Sequence, residues 1–137
     1  MAQGAARRLA STDIRDRVEI GYDPRKGRGV YARALIHPGE LIDASPVIVF
    51  SAEDCARLDR TKIGHYYFHW DGDPDADGRG ALALGLVTLC NHAPRPKAKV
   101  RRNLAAELLE LVATQPIHPG EEVTIDYGCT LWFDAAE

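Results

Sequence analysis

The sequence predicts a mainly β, single-domain protein, and three observations carry that expectation. Runs rich in β-branched and aromatic residues recur along the chain, among them RVEIGYD, ELIDASPVIVF and VTIDYG. Turn signals punctuate them: the pentapeptide IHPGE stands at residues 36–40 and again at 117–121. Helical signals are confined to one or two short stretches, and 137 residues suit one core rather than two.

Taken in order, residues 1–15 are small, polar and charged without apolar periodicity, so a flexible leader is expected there and the folded domain over 16–137. RVEIGYD alternates as a strand, PRKGRG follows as a turn with two glycines, and VYARALI and ELIDASPVIVF flank the first IHPGE as strands. Proline then glycine suit positions i+1 and i+2 of a type II turn, the second of which needs a positive φ. The copies share nothing beyond the turn and the start of the strand after it, so one turn used twice is expected rather than a duplicated unit.

Ser51 can cap a short helix over residues 51–60, with Glu53 and Asp54 in its first turn. IGHYYFHW reads as a strand, DGDPDADGRG as a polar connection, and ALALGLVTLC returns to apolar character. LAAELLELVA, residues 104–113, is helical on propensity alone, being alanine, leucine and glutamate. PIHPGEE and VTIDYG close the pattern with a turn and a strand, and CTLWFDAAE is a short tail.

Composition narrows the function classes. Apolar residues are 45% of the chain and charged residues 27%, as in a soluble globular protein. No run approaches the roughly 18 apolar residues of a membrane helix. The N-terminus has no apolar segment of secretory type, which makes a cytoplasmic protein the expectation. A net charge of -3 argues against phosphate-backbone binding as the main activity, although PRPKAKVRR, residues 94–102, is locally basic. Neither direct nucleic-acid binding nor membrane binding is expected. Cys55, Cys90 and Cys129 form no CxxC pair and no even framework, so reduced, buried thiols are expected.

Two stretches imitate metal sites. DPDADG, residues 73–78, begins like a calcium loop, but its twelfth position is Leu84 instead of a bidentate glutamate. His65 and His69 would share a face only on a helix, and their aromatic surroundings favour a strand. No metal is expected.

The function is carried by segments taken together: KGRGVYA at residues 26–32, ALGLVTLCNHAPRP at 83–96 and PGEEVTIDYG at 119–128, with a tryptophan shortly after. This order and spacing resemble the SET-domain protein lysine methyltransferases, in which a GxG segment, an NHSxxPN-type segment and a GEE[LI]xxxYG segment converge on S-adenosyl-L-methionine and the target lysine. The resemblance runs from about Arg17 to Trp132 and is nearest to small viral and bacterial SET-only members. It implies a SET-domain (β-clip) fold of several small sheets with a C-terminal pseudoknot and one or two short helices. It also moves residues 107–113 from helix to strand, since tertiary context overrides local propensity.

The resemblance further implies transfer of a methyl group from S-adenosyl-L-methionine to the side-chain amine of a lysine in a protein, with a histone or another basic protein as the candidate substrate. Tyr127 matches the active-site tyrosine. Lys26, Gly27, Arg28 and Gly29 would lie along the methionine end of the cofactor, glycine allowing close approach. Asn91 and His92 match the cofactor-binding pair, against the alternatives of a turn residue and a core histidine. Trp132 matches an aromatic that packs on the adenine, with core packing as the rival. Tyr66 and Phe68 resemble the wall of the lysine channel, with an ordinary core strand as the rival.

The chain departs from the family pattern in places. Ala93 stands where serine is expected, and Lys97 where asparagine is. Pro94 replaces the cysteine of zinc-binding members, so no zinc site is implied. The acidic residues within 71–77 could steer a basic substrate, an exposed solvated loop being the alternative. Small viral members are homodimers, which points toward a homodimer here. Two rival readings stand beside the enzyme: a catalytically weak SET module that binds a peptide or partner, and a small β-domain with an unrelated ligand.

Overall fold

The structure, a computed structural model, describes residues 16–127. The expected leader over 1–15, Gly128, Cys129 and Trp132 lie outside the described residues. In chain order the elements are β1 (Val18–Asp23), β2 (Gly27–Ala32), β3 (Leu41–Phe50), α1 (Ala52–Leu58), a 3-10 turn (Lys62–His65), β4 (Phe68–Asp71), β5 (Arg79–Ala83), a second 3-10 turn (Leu86–Leu89), β6 (Asn91–His92), β7 (Ala98–Asn103), β8 (Leu108–Ala113) and β9 (Glu122–Ile125). They form a four-stranded sheet in the order β1-β2-β9-β6 and a five-stranded sheet in the order β4-β5-β3-β8-β7.

One apolar cluster joins the two sheets. Val18, Val30, Val123 and Ile125 enter it from the first, and Ile42, Phe68, Trp70, Leu109 and Leu111 from the second. Burial on this scale is the main favourable term in folding. It also decides the ambiguous stretch. Residues 104–107 turn, with the Asn103 side chain accepting the Ala106 N–H at 3.1 Å, and residues 108–113 become β8. That strand pairs with β3 on one side and β7 on the other, so its backbone groups find partners along both edges while Leu109 and Leu111 fill the core. Packing and pairing together outweigh the helical propensity of alanine, leucine and glutamate.

Ser51 caps α1 as expected, its hydroxyl accepting the Asp54 N–H at 3.1 Å. Two expectations are corrected. GRG is not part of the turn: the Asp23 carboxylate accepts the N–H groups of Arg25 and Lys26 and closes the turn early, so that Gly27, with φ 84°, opens β2. IGHYYFHW is not strand throughout, because Thr61 caps a 3-10 turn over Lys62–His65 and the strand begins only at Phe68. The acidic loop closes on itself: Asp73 N–H donates to Asp77 and Asp75 N–H to Asp73, and Arg79 bridges to Asp71. Cys55 and Cys90 are free and buried. Among the described residues no helix is long and apolar enough to cross a membrane.

The two IHPGE segments meet. Ile36 and Ile117 exchange both backbone hydrogen bonds at 2.9 Å. Gly39 N–H donates to the Ala113 carbonyl and Gly120 N–H to the Ala32 carbonyl, each at 2.8 Å. In return Ala113 N–H donates to Glu40 O at 3.0 Å and Ala32 N–H to Glu121 O at 2.9 Å. The matched bonds relate the turns by a local approximate two-fold, and they correct the expectation that the copies share nothing ahead of the turn, since an alanine stands four residues before each isoleucine and takes the matching bonds. Gly39 and Gly120 take φ 88° and 89°, the left-handed conformation that a type II turn requires.

Each turn is also bound by its own glutamate. Glu40 accepts the His37 N–H at 2.8 Å and pairs with Arg17. The backbone N–H, with the Arg17 guanidinium, holds the Glu40 carboxyl below the usual carboxylate range. A depressed folded-state pKa gives stability that is complete above the ordinary glutamate pKa and is lost as pH falls through the folded value. Glu40→Gln is therefore expected to lower the urea midpoint at neutral pH, with the gap from wild type persisting below the ordinary value of about 4.3 and closing as pH falls through the lowered folded-state one. Urea titrations across that range check this.

Candidate active site

The sheet order brings distant segments to one place. β9 pairs antiparallel with β2 and parallel with β6, in the register Glu122↔Tyr31, Thr124↔Asn91 and Ile125↔His92. The GRG strand, the NH pair and the segment leading to Tyr127 thus lie side by side. Lys26, Gly27, Arg28, Tyr66, Asn91 and Tyr127 line a single cavity of about 380 Å³, joined there by Tyr22, Thr88 and Cys90.

Tyr127 is half buried at the end of this arrangement. Its hydroxyl donates to the Cys90 carbonyl at 2.7 Å, and its backbone N–H donates to His92 Nδ1 at 3.1 Å. Burial pushes the phenol pKa up, so the hydroxyl keeps its proton at neutral pH. Since His92 Nδ1 accepts a hydrogen bond, the imidazole is the neutral tautomer with its proton on Nε2. The 3.7 Å approach of Asp126 to Nδ1 is then no ion pair in this state. The two rings stand 5.4 Å apart, and His92 supports Tyr127 from behind without lining the cavity.

Asn91 is held by two acceptors. Its amide nitrogen donates to the Arg28 carbonyl at 3.1 Å and to a Glu122 oxygen at 2.7 Å. Carbonyl and carboxylate can only accept, so both amide hydrogens are engaged and the side-chain orientation is fixed. The amide oxygen accepts nothing among the described residues. The other Glu122 oxygen binds the Lys26 ammonium, and that contact raises the lysine pKa. Arg28 makes no ion pair among the described residues and is a cavity-lining cation.

Gly29 makes this packing possible. A Cβ there would lie 2.6 Å from the Glu122 carboxylate and 2.9 Å from the Asn91 amide nitrogen.

Tyr66 and Phe68 part company. Both contribute, with Thr88 and Tyr127, to a narrow recess next to the cavity. Tyr66 is 52% exposed and lines cavity and recess, whereas Phe68 is buried at 4% and belongs to the core cluster, where the rival reading had put it. The departures from the family pattern are taken up by the scaffold. Ala93 contributes its N–H to the Ile125 carbonyl at 3.0 Å, and Lys97 pairs with Glu121 at 3.6 Å. Among the described residues no group of three or more histidine, cysteine or acidic side chains is placed to hold a metal. Sequence reasoning missed Glu122, Tyr22, Thr88 and Cys90; only Glu122 carried a signal, as the second acid of the GEE segment.

Two small sheets around one core, with the NH pair laid parallel to the strand that delivers Tyr127, define an architecture of SET type. The SET domain family model matches residues 27–128, and the chain belongs to the SET-domain family of protein lysine methyltransferases. It is 33% identical over 122 residues to the histone-lysine N-methyltransferase, H3 lysine-37 specific, of Schizosaccharomyces pombe, across 88% of this chain and 80% of that protein. It is 31% identical over 112 residues to the Drosophila melanogaster histone-lysine N-methyltransferase Set2, across 75% of this chain but 5% of that far longer one. The solved Neurospora SET domain protein DIM-5, a histone lysine methyltransferase, superposes with a TM-score of 0.64 at 22% identity, across 80% of this chain and 51% of that one. At that identity the likeness bears on the fold alone.

Proposed function

We propose that the chain transfers methyl groups from S-adenosyl-L-methionine to the side-chain amine of a lysine in a basic protein, histones being the first candidates. The observation that carries this reading is the convergence of Lys26, Arg28, Asn91 and Tyr127 on one cavity beside an aromatic recess. The cavity lies within the roughly 300–1,000 Å³ of small-molecule sites. Its polar groups suit an amino-acid zwitterion: Arg28 offers a cation to a carboxylate, the Asn91 amide oxygen an acceptor to an ammonium, and Gly27 an approachable backbone, while Gly29, expected beside the cofactor, is buried behind the cavity wall. Trp132, expected against the adenine, belongs to the same proposal.

When bound, S-adenosyl-L-methionine supplies an electrophilic methyl on sulfur. The protein's task is alignment and deprotonation, and alignment alone can account for a large part of the rate. An ordinary lysine, with a pKa of about 10.4, is charged and not nucleophilic at neutral pH. Aromatic walls from Tyr66, Phe68 and Tyr127 would disfavour the ammonium form by desolvation. The Tyr127 proton is committed to the Cys90 carbonyl, so the phenol oxygen can accept an N–H of the incoming amine and aim its lone pair.

Calorimetric titration with S-adenosyl-L-methionine, followed by transfer to mixed histones, tests the reading. Saturable binding and lysine methylation are expected; binding without transfer would favour a peptide-binding module. Gly29→Ala sharpens the test, because the Cβ must push the Glu122 and Asn91 side chains apart while the extended backbone accepts alanine. A folded protein with cofactor affinity reduced by about tenfold or more is expected, on the scale of one charged hydrogen bond. Circular dichroism and calorimetry on the same sample check both parts.

A further inference from the structure

We propose that Glu122 is the positioning residue of this cavity, presetting Lys26 and Asn91 so as to govern cofactor affinity rather than the methyl-transfer step. The inference rests on the reading that the cavity takes S-adenosyl-L-methionine. Glu122 does not line the cavity; two of the polar side chains that do, Lys26 and Asn91, bind its two carboxylate oxygens separately. The partners come from positions 96 and 31 residues away in sequence. Its side chain is 10% exposed, and a carboxylate so nearly buried is tolerated only when paired.

The chemistry fixes what each partner presents. A carboxylate has no proton to donate, so it selects the NH2 side of the Asn91 amide, while the Arg28 carbonyl takes the second hydrogen. The amide oxygen is thereby set as the acceptor that Asn91 offers a ligand. On the other side Glu122 offsets the Lys26 charge and fixes the ammonium on the cavity wall. The missing side chain at Gly29 leaves the carboxylate its place. A residue serving only the fold would not need partners that are both on the cavity wall.

The test uses the full chain, S-adenosyl-L-methionine titrated calorimetrically, and steady-state methylation of core histones. Glu122→Gln keeps the shape but leaves one acceptor for two donors. It is expected to raise the cofactor Kd and KM together by about tenfold, with kcat at saturating cofactor changing by less than about threefold. Combined with Asn91→Ala it should weaken binding by no more than about twofold beyond Asn91→Ala alone, because with the Asn91 amide gone the one glutamine oxygen can still serve Lys26. Wild-type affinity in Glu122→Gln would overturn the assignment, as would penalties that multiply, or a kcat that falls as far as the affinity. If Glu122→Gln does not fold, Lys26→Met, at a half-exposed position, is expected to raise the cofactor Kd with kcat at saturating cofactor little changed, and wild-type affinity in that variant would overturn the assignment. Failure of the wild-type chain to bind S-adenosyl-L-methionine would count against the underlying reading instead.

Discussion

Replacing Tyr127 by phenylalanine is expected to lower kcat by about 10²- to 10³-fold, within the range for removal of a group that handles the reacting proton or nucleophile. The substitution deletes one oxygen and leaves the ring, which packs against His92 and the core, so the fold should survive. The lost hydroxyl donates to the Cys90 carbonyl at 2.7 Å. That carbonyl loses a partner, at a stability cost of about 1–3 kcal/mol if water does not replace it. Cofactor affinity should change little, because on the proposed reading the phenol oxygen would meet the substrate amine and not the amino-acid end of the cofactor. Single-turnover methylation at saturating cofactor and substrate, beside calorimetry, separates the two effects. Unaltered turnover would remove Tyr127 from the chemistry.

Asn91→Ala is expected to act the other way, raising the cofactor Kd by about 10- to 100-fold with a smaller effect on kcat, because hydrogen bonds to charged groups are worth about 1.5–3 kcal/mol and about 1.4 kcal/mol is tenfold. The amide bridges the Arg28 carbonyl and the Glu122 carboxylate, so its removal takes away the side-chain link between the GRG strand and β9 at the cavity, the backbone pairing of the two strands remaining. It also leaves a nearly buried carboxylate with Lys26 as its remaining side-chain hydrogen-bond donor. Some loss of thermal stability should accompany the loss of affinity. Calorimetry decides the matter: an unchanged Kd would mean that Asn91 only holds the turn into the parallel β6–β9 pairing.

What the sequence revealed and what it hid divide along physical lines. Strands that alternate and turns set by proline and glycine are local properties, and both IHPGE turns and the Ser51 cap were legible for that reason. Residues 108–113 were not legible on propensity: their state is set by β3 and β7 on either side, and only the family resemblance moved them to strand. GRG was read as a turn because two glycines are a turn signal. The Asp23 side chain finishes that turn three residues earlier, at Lys26, and Gly29 serves instead to admit Glu122. Glu122 itself went unread because it stands beside Glu121 in the same letters. Their roles separate only in three dimensions, Glu121 binding its own turn and Lys97, Glu122 binding Lys26 and Asn91. Phe68 and Tyr66 lie two residues apart, yet one belongs to the core and the other to the cavity, a split set by the 3-10 turn that precedes them.

The central claim is that this cavity delivers a methyl group to a protein lysine. Mass spectrometry of core histones incubated with the wild-type chain and S-adenosyl-L-methionine tests it most directly. Mass gains of whole methyl groups on lysine side chains, abolished by Tyr127→Phe, are the predicted result. Tight cofactor binding with no methylated lysine on histones or on any basic protein of a cell lysate would contradict it.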